Sequence, residues 1–201
     1  YMIEGVPAGK QERNLNCEFQ SAADLARFYG QPISWEEIFL RVGHDPNGDP
    51  NAGFVGDSFE DPPGSLYPNG YGVYAQPLAE GLRELGLNAQ AFIHRDADWL
   101  KREISSGRPV IVWATYGMAP GQMEGWHTRD GKAWIKAVRN EHTYMVVGYD
   151  GEGVYVNDPF DGQQYHYGWE AFQTSWGYLD HMAVSIQPPF LLRGSEIEPR
   201  G

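Results

Sequence analysis

The hydrophobic pattern of this sequence changes once, near residue 108, and that change constrains the fold more than any other feature. Before it, apolar residues recur at three- and four-residue spacing, which is typical of amphipathic helices. After it come short apolar runs of the strand type, at 109–115, 142–150 and 153–158. Helices followed by antiparallel strands predict an α+β fold, with an N-terminal helical half packed on a C-terminal antiparallel β-sheet.

Local signals mark where the predicted helices begin and end. Gly30 and Pro32 end a first helix that Cys17 opens. Ser34 with Glu37 forms a capping box that starts a second helix, running through Val42. Further elements are predicted as a helix at 77–85, a helix after Asp96 to about Ser105, a short helix at 169–173 and a closing strand at 181–187.

The chain of 201 residues is predicted to form one domain, 1–187, followed by a polar tail, 188–201. Residues 44–72 are rich in Gly and Pro and have no apolar periodicity, so they are predicted to be a long loop. Its aromatic residues favour a loop that packs against the domain. Gly-rich residues 118–132 form a second irregular segment.

Charge and hydropathy exclude several classes of function. The net charge of −12 argues against nucleic acid as a partner, because its binders carry basic patches. No apolar run approaches the ~20 residues of a membrane helix, so no membrane span is expected. No charged-then-apolar leader opens these residues, and the start at Tyr1 suggests a domain trimmed from a longer protein.

Cys17 is the only cysteine, and two interpretations compete for it. A free cysteine is most often a small buried hydrophobe. A cysteine at the start of a helix can instead be a nucleophile, because unpaired N–H groups and the helix dipole favour the thiolate and lower its pKa. The second interpretation requires a base and an orienting group elsewhere in the chain.

A predicted hairpin supplies both of these groups. Of the six histidines, His142 is the one that opens the first strand, and the second strand ends at Asp158 before Pro159. His142 and Asp158 project from one face if residue 144 pairs with residue 158. A two-residue turn at Gly151-Glu152 gives the opposite parity, so a three-residue or bulged loop is predicted.

These residues carry a family resemblance. The spacing Gln11-x5-Cys17-x4-Ala22, the run RPVIVWATYG and the hairpin NEHTYMVVGYDGEGVYVNDPFDG resemble the papain-like cysteine peptidases that remove double-glycine leaders from bacteriocin precursors. The similarity spans residues 6–187 and is closer still to the stand-alone bacterial domains grouped with them. The chain carries none of the transporter segments that couple leader cleavage to export.

The resemblance implies a papain-like peptidase fold and a site made of Cys17, His142, Asp158 and Gln11. Cys17 would be the nucleophile, His142 the base and Asp158 its orienting group, with Gln11 as an oxyanion donor. It implies a peptide or protein substrate and no metal or organic cofactor. Relatives are often secreted or attached to the bacterial envelope, which is the expected location, with the cytoplasm left open.

The sequence therefore predicts a thiol-dependent hydrolase, a cysteine endopeptidase acting through a Cys17 acyl-enzyme. Two alternatives keep the same fold. One is a catalytically silent peptide- or glycan-binding module, in which exposed aromatics near the proposed site would bind an extended ligand; the aromatics there are Trp113, Tyr116, Trp126 and Trp134. The alternative for them is core packing, which the apolar strand favours for Trp113. The other is a cell-wall amidase or transglutaminase-like acyl transferase with the same triad. A zinc hydrolase using His127, His142 and Asp158 is disfavoured, because the ligand spacing is wrong.

Overall fold

A six-stranded antiparallel sheet forms the centre of the structure, a computed structural model that describes residues 1–188. The helices are α1 (Cys17–Phe28), α2 (Trp35–Val42), α3 (Ala75–Glu84), α4 (Ala97–Ser105) and α5 (Trp169–Gly177). The strands are β1 (Ala89–Phe92), β2 (Val110–Thr115), β3 (Met123–His127), β4 (Trp134–Val138), β5 (Glu141–Tyr149), β6 (Gly153–Asp158), β7 (Gln163–Gly168) and β8 (Ala183–Ile186). The sheet order is β1-β8-β2-β5-β6-β7, while β3 and β4 form a separate two-stranded sheet.

Helices cover both faces of the six-stranded sheet. Ile111 and Trp113 of β2 lie in a core shared with α1, α2 and α3. Val110 and Val112 point the other way, into a second core with α4 and α5. A strand covered on both faces reads as a continuous apolar run, which is why the strand at 109–115 is recognisable in the sequence.

The predicted α+β architecture is confirmed, with one correction to how its halves meet. Of the first three helices, α1 and α3 pack on the sheet as predicted, and α2 packs on α1 and α3. However, α4 lies on the opposite face, because Leu100 and Ile104 pack in the second core. The helical half also contributes a strand, since β1 pairs with β8 at the sheet edge.

The predicted helix starts agree with the structure where a side chain caps the helix. Ser34 accepts a hydrogen bond from the backbone N–H of Glu37, whose side chain accepts one in return from Ser34 N–H. Asp96 accepts from the backbone N–H of Trp99 at 2.7 Å. These interactions are local in sequence, so the sequence specifies them directly.

Several elements depart from the sequence-based prediction. Segment 118–132 includes strand β3, which pairs with β4. The helix predicted at 169–173 extends to Gly177, and β7 has no counterpart in the prediction. The predicted tail 188–201 lies outside the described residues from 189 onward.

The long loop 44–72 packs against the domain as predicted. Phe54 is buried and, with Phe59, makes edge-to-face contacts with Phe19 of α1 and Phe39 of α2. The loop therefore forms one wall of the region around the start of α1. Within residues 1–188, none of the helices is both long enough and apolar enough to cross a membrane.

Candidate active site

Cys17 is the first residue of α1 and is buried. Phe19, Ala22 and Leu25 of α1 are fully buried and anchor the helix in the core. The side-chain oxygens of Ser21 and Thr143, 3.4 Å apart, join α1 to β5. The start of α1 is thereby held beside the first residues of β5, where Glu141 and His142 lie.

His142 and Asp158 are in direct contact at the open end of the β5–β6 hairpin. His142 Nε2 lies 2.6 Å from Asp158 Oδ1, and both side chains are buried. Met145 pairs with Asn157, the register that places residue 144 opposite residue 158. A shift in register between Val146 and Gly148 creates that parity.

The turn after β6 fixes the Asp158 carboxylate. Asp158 Oδ1 also accepts the backbone N–H of Phe160 at 2.8 Å. The N-terminal segment supports this turn from outside, since Gln11 N–H donates to Pro159 O at 2.6 Å. The carboxylate is thus held by the backbone and is available to orient the imidazole.

Gln11 lies in the same region, but its amide group is engaged by the backbone. Its Nε2 donates to the carbonyls of Arg13 at 2.7 Å and Asn14 at 3.2 Å. Its Oε1 is buried and has no hydrogen-bond partner among the described residues. Both amide hydrogens are therefore occupied in this conformation.

One cleft brings three of the four predicted residues together. Gln11, Cys17 and His142 line a cleft of about 210 Å³. Asp158 is not part of the lining and lies behind His142. The rest of the wall includes three aromatic residues, Tyr71, Tyr116 and Phe160.

Two buried carboxylic acids that the sequence analysis missed lie beside the thiol. Cys17 Sγ donates a hydrogen bond to Glu18 Oε2 at 3.1 Å, and no hydrogen bond joins it to His142 in the described chain. Glu18 Oε1 accepts the backbone N–H of Val73 at 2.8 Å. Gly72 makes room for it, because a Cβ at that position would overlap Glu18 Oε1. Glu141, the second acid, also lines the cleft.

The electrostatics of this group keep the thiol protonated. Burial raises the pKa of Cys17 well above its ordinary value, and the charges of Glu18 and Glu141 raise it further. Burial also raises the pKa of Glu18, and burial together with the Glu18 charge raises that of Glu141. The expectation that the helix start lowers the thiol pKa is wrong for this structure, because desolvation and two nearby acids outweigh the helix dipole.

The aromatic residues singled out by the sequence divide between core and surface. Trp113 is fully buried and donates from Nε1 to Val73 O at 2.9 Å. Trp126 is also buried, whereas Trp134 is 60% exposed and contacts His127 on the separate β3–β4 sheet. Only Tyr116 of the four lines the cleft, where it contacts His142 and Phe160 with ring centroids 5.6 and 5.1 Å away.

Comparison with known proteins points to one family. The profile of the Peptidase_C39 like family matches residues 3–184. The uncharacterized protein YvpB of Bacillus subtilis (strain 168) is 28% identical over 180 residues, covering 85% of this chain and 68% of YvpB.

Solved structures agree with the fold. A crystal structure from Bacillus anthracis, described as a candidate C39-like peptidase, has a TM-score of 0.80 and 25% identity, covering 93% of this chain and 96% of that one. The peptidase domain of Streptococcus ComA, a bifunctional ABC transporter of a quorum-sensing pathway, has a TM-score of 0.54 and 16% identity, covering 91% and 99%. At that identity the second similarity concerns the fold alone.

Proposed function

The chain belongs to the Peptidase_C39 like family, and from that premise we propose that it is a cysteine endopeptidase whose nucleophile is Cys17. The observation that carries the proposal is the cleft in which Cys17, at the start of a helix, faces the same space as His142. Asp158, 2.6 Å from His142, completes a nucleophile, base and orienting group.

His142 acts as the general base through Nδ1. Its Nε2–H donates to Asp158, which leaves Nδ1 as the ring nitrogen able to accept the thiol proton. Cys17 Sγ then attacks the peptide carbonyl, and the imidazolium returns the proton to the leaving amine. The same base then activates a water molecule, which hydrolyses the resulting thioester.

The oxyanion of the tetrahedral intermediate is bound at the start of α1. The Cys17 backbone N–H is one donor, and the Gln11 amide is the second. Gln11 Nε2 must then release a backbone carbonyl, and the longer of its two bonds, to Asn14 at 3.2 Å, is the one exchanged. One such donor typically lowers the barrier by about 3–4 kcal/mol.

Activation also requires the thiol to turn away from Glu18. In the structure the thiol is neutral and bonded to Glu18 Oε2. A substrate that fills the cleft excludes water and strengthens the interaction between a thiolate and an imidazolium. Substrate binding, in this proposal, shifts the thiol from Glu18 to His142.

The same thiol–acid contact favours a second candidate, a silent peptide-binding module on this fold. A cysteine held protonated by a buried acid is a poor nucleophile at neutral pH. The aromatic wall of Tyr71, Tyr116 and Phe160 would bind an extended peptide with or without cleavage.

A peptide-library experiment separates the two candidates. The wild-type chain is incubated with a diverse peptide mixture and new termini are identified by mass spectrometry, with Cys17→Ala and the surface variant Ser58→Ala run in parallel. An endopeptidase gives cleavage with the wild type and Ser58→Ala and none with Cys17→Ala. Peptide binding by Cys17→Ala, with no cleavage by any of the three proteins, would contradict the enzyme and support the module.

A further inference from the structure

Three potential metal ligands meet where α1 and β5 come together. Cys17 Sγ and one carboxylate oxygen each from Glu18 and Glu141 lie within 4.8 Å of one another, and all three groups are buried. Two of the ligands are consecutive at the start of α1, and the third is the first residue of β5. The group opens onto the cleft, because Cys17 and Glu141 both line it.

Two buried oxygens in this cleft have no hydrogen-bond partner within residues 1–188. Glu141 Oε1 is buried and accepts no hydrogen bond from any described residue. Gln11, which lines the same cleft, has a second buried oxygen without a partner within residues 1–188. Buried acceptors nearly always have a partner, so these two oxygens are available to accept a hydrogen bond from water or to bind a cation in the cleft.

The charges around the cleft also favour a cation. Its lining contains the Glu141 carboxyl, and none of the lining residues among those described is a lysine or an arginine. Glu18 is 1% exposed and lies behind Cys17 without an ion-pair partner in the described structure. A bound cation would compensate the two acids that burial now penalises.

We propose that Cys17, Glu18 and Glu141 bind one Zn²⁺ ion, which reversibly blocks the Cys17 thiol. The single cysteine excludes a multi-thiolate structural site, but one thiolate with two carboxylates matches the mixed sulfur and oxygen ligands that Zn²⁺ accepts. Mg²⁺ and Ca²⁺ prefer oxygen ligands alone and do not match this set. As the Zn–S and Zn–O bonds form, the thiol proton and any proton carried by the two carboxyl groups pass to solvent.

Zinc binding requires the three ligand atoms to move slightly closer together. Ligands at about 2.0–2.3 Å in a tetrahedral site are separated by about 3.3–3.8 Å. The observed group spans up to 4.8 Å, so rotation of the carboxylates completes the site. Three protein ligands leave a fourth position for water from the cleft, which makes the site open and the ion removable.

The test measures binding and thiol protection, and neither requires turnover. Tag-free full chain is freed of metal with a chelator and titrated with Zn²⁺ by calorimetry and with Co²⁺ by absorption spectroscopy. We expect one ion per chain and a thiolate-to-Co²⁺ charge-transfer band. Stoichiometric Zn²⁺ should slow labelling of Cys17 by iodoacetamide at least tenfold, and EDTA should restore it.

Substitution of each proposed ligand tests which residues bind the ion. Glu141→Gln and Glu18→Gln should each weaken Zn²⁺ binding at least tenfold, and Cys17→Ala should abolish the Co²⁺ band. Glu170→Gln, the equivalent first-turn position of α5, is the matched control and should bind as the wild type does. Circular dichroism and Tm verify that each variant is folded. Absence of binding, or affinity unchanged in folded Glu141→Gln and Cys17→Ala, would overturn the proposal, whether or not the protein proves to be a peptidase.

Discussion

His142 and Asp158 contact each other because strand β5 contains one extra residue. The register of β5 and β6 shifts between Val146 and Gly148, so Met145 lies opposite Asn157. Without that bulge the two-residue turn at the tip would place the two side chains on opposite faces of the sheet. The 2.6 Å contact between His142 Nε2 and Asp158 Oδ1 therefore depends on an irregularity farther along the same hairpin.

If the protein is the cysteine peptidase proposed above, replacing Asp158 with Asn should reduce its activity without unfolding it. An amide can no longer stabilise the imidazolium, and it favours the wrong imidazole tautomer, so kcat/KM is expected to fall by on the order of 10²- to 10⁴-fold. Steady-state kinetics on a peptide identified by the library screen would measure the change. Asp161→Asn, in the same turn and half-buried, is the control and should leave kcat/KM within about twofold. Equal loss in both variants would show that the turn as a whole, and not the carboxylate beside His142, is required.

The sequence was enough to predict that His142 and Asp158 lie on the same face of the hairpin, because a catalytic pair must be in contact and side chains alternate between faces along a strand. The requirement that His142 and Asp158 share a face excluded a regular two-residue hairpin, and the structure contains the bulge in β5 that resolves the conflict. The position of the bulge within the strand, and not in the loop, depends on packing. Met2 bridges to Gly148, and Ile3 N–H donates to Val147 O, so the N-terminal segment stabilises the irregular residues.

The missed strands lack the pattern that marks a buried strand. β7 is almost entirely exposed, so no apolar alternation distinguishes it. β1 has only four residues and is defined by its pairing with β8, almost 100 residues later in the chain. Pairing between residues so far apart in the chain leaves no signal in the local spacing of apolar residues.

Glu18 was missed although the sequence holds a signal for it. Glu18, Ala22 and Leu25 occupy positions i, i+4 and i+7 of α1, which places the acid on the stripe that faces the core. The second acid, Glu141, directly precedes His142 in the sequence. That the two acids meet at the thiol depends on the packing of α1 on β5, which the sequence does not reveal.

Replacing Glu18 with Gln should make the Cys17 thiol more reactive. Burial raises the pKa of Cys17, and the Glu18 charge adds to that rise. Removing the charge lowers the pKa, so the thiolate fraction increases at every pH below it. The rate of iodoacetamide labelling should rise several-fold at neutral pH, and the midpoint of its pH profile should move to lower pH.

The Gln side chain keeps an oxygen that can accept the Val73 N–H, so the fold should survive the Glu18 substitution. Glu170→Gln, also in a first helical turn, serves as the control and should label at the wild-type rate. Labelling that is unchanged or slower in folded Glu18→Gln would contradict the view that this acid holds the thiol protonated.

Replacing Tyr116 with Ala should weaken substrate binding more than catalysis. Tyr116 and Phe160 are each 48% exposed, and their rings meet in an edge contact on the wall of the cleft. Losing this apolar surface from a bound peptide should raise KM by roughly 5- to 30-fold, with kcat within about threefold. Trp134→Ala removes a comparably exposed aromatic outside the cleft and should change neither constant. A fall in kcat at constant KM would show instead that Tyr116 positions His142, whose ring it contacts.

Replacing Glu103 with Gln should destabilise the fold in a pH-dependent way. Burial opposes ionisation of Glu103, but hydrogen bonds from Arg108, Gln187 and Ser185 outweigh it and lower its pKa. Both Arg108 contacts are 2.8 Å long, and the Ser185 and Gln187 contacts, at 3.0 Å each, join α4 to β8 and the residue that follows it. At neutral pH the substitution should reduce the free energy of unfolding by about 2 kcal/mol, because the charged Arg108 loses its partner.

The sign of the pH effect follows from the lowered pKa of Glu103. A carboxylate whose pKa is lower in the folded state stabilises the protein above its unfolded pKa, and that contribution is lost as the pH falls through the folded value. The difference in unfolding free energy between wild type and Glu103→Gln should therefore be largest near neutral pH and shrink below pH of about 4. Urea unfolding at a series of pH values measures it, with the exposed Glu84→Gln as the matched control. A difference that stayed constant into the acid range would mean that the substituted amide disturbs packing, and not that an ionised Glu103 stabilises the fold.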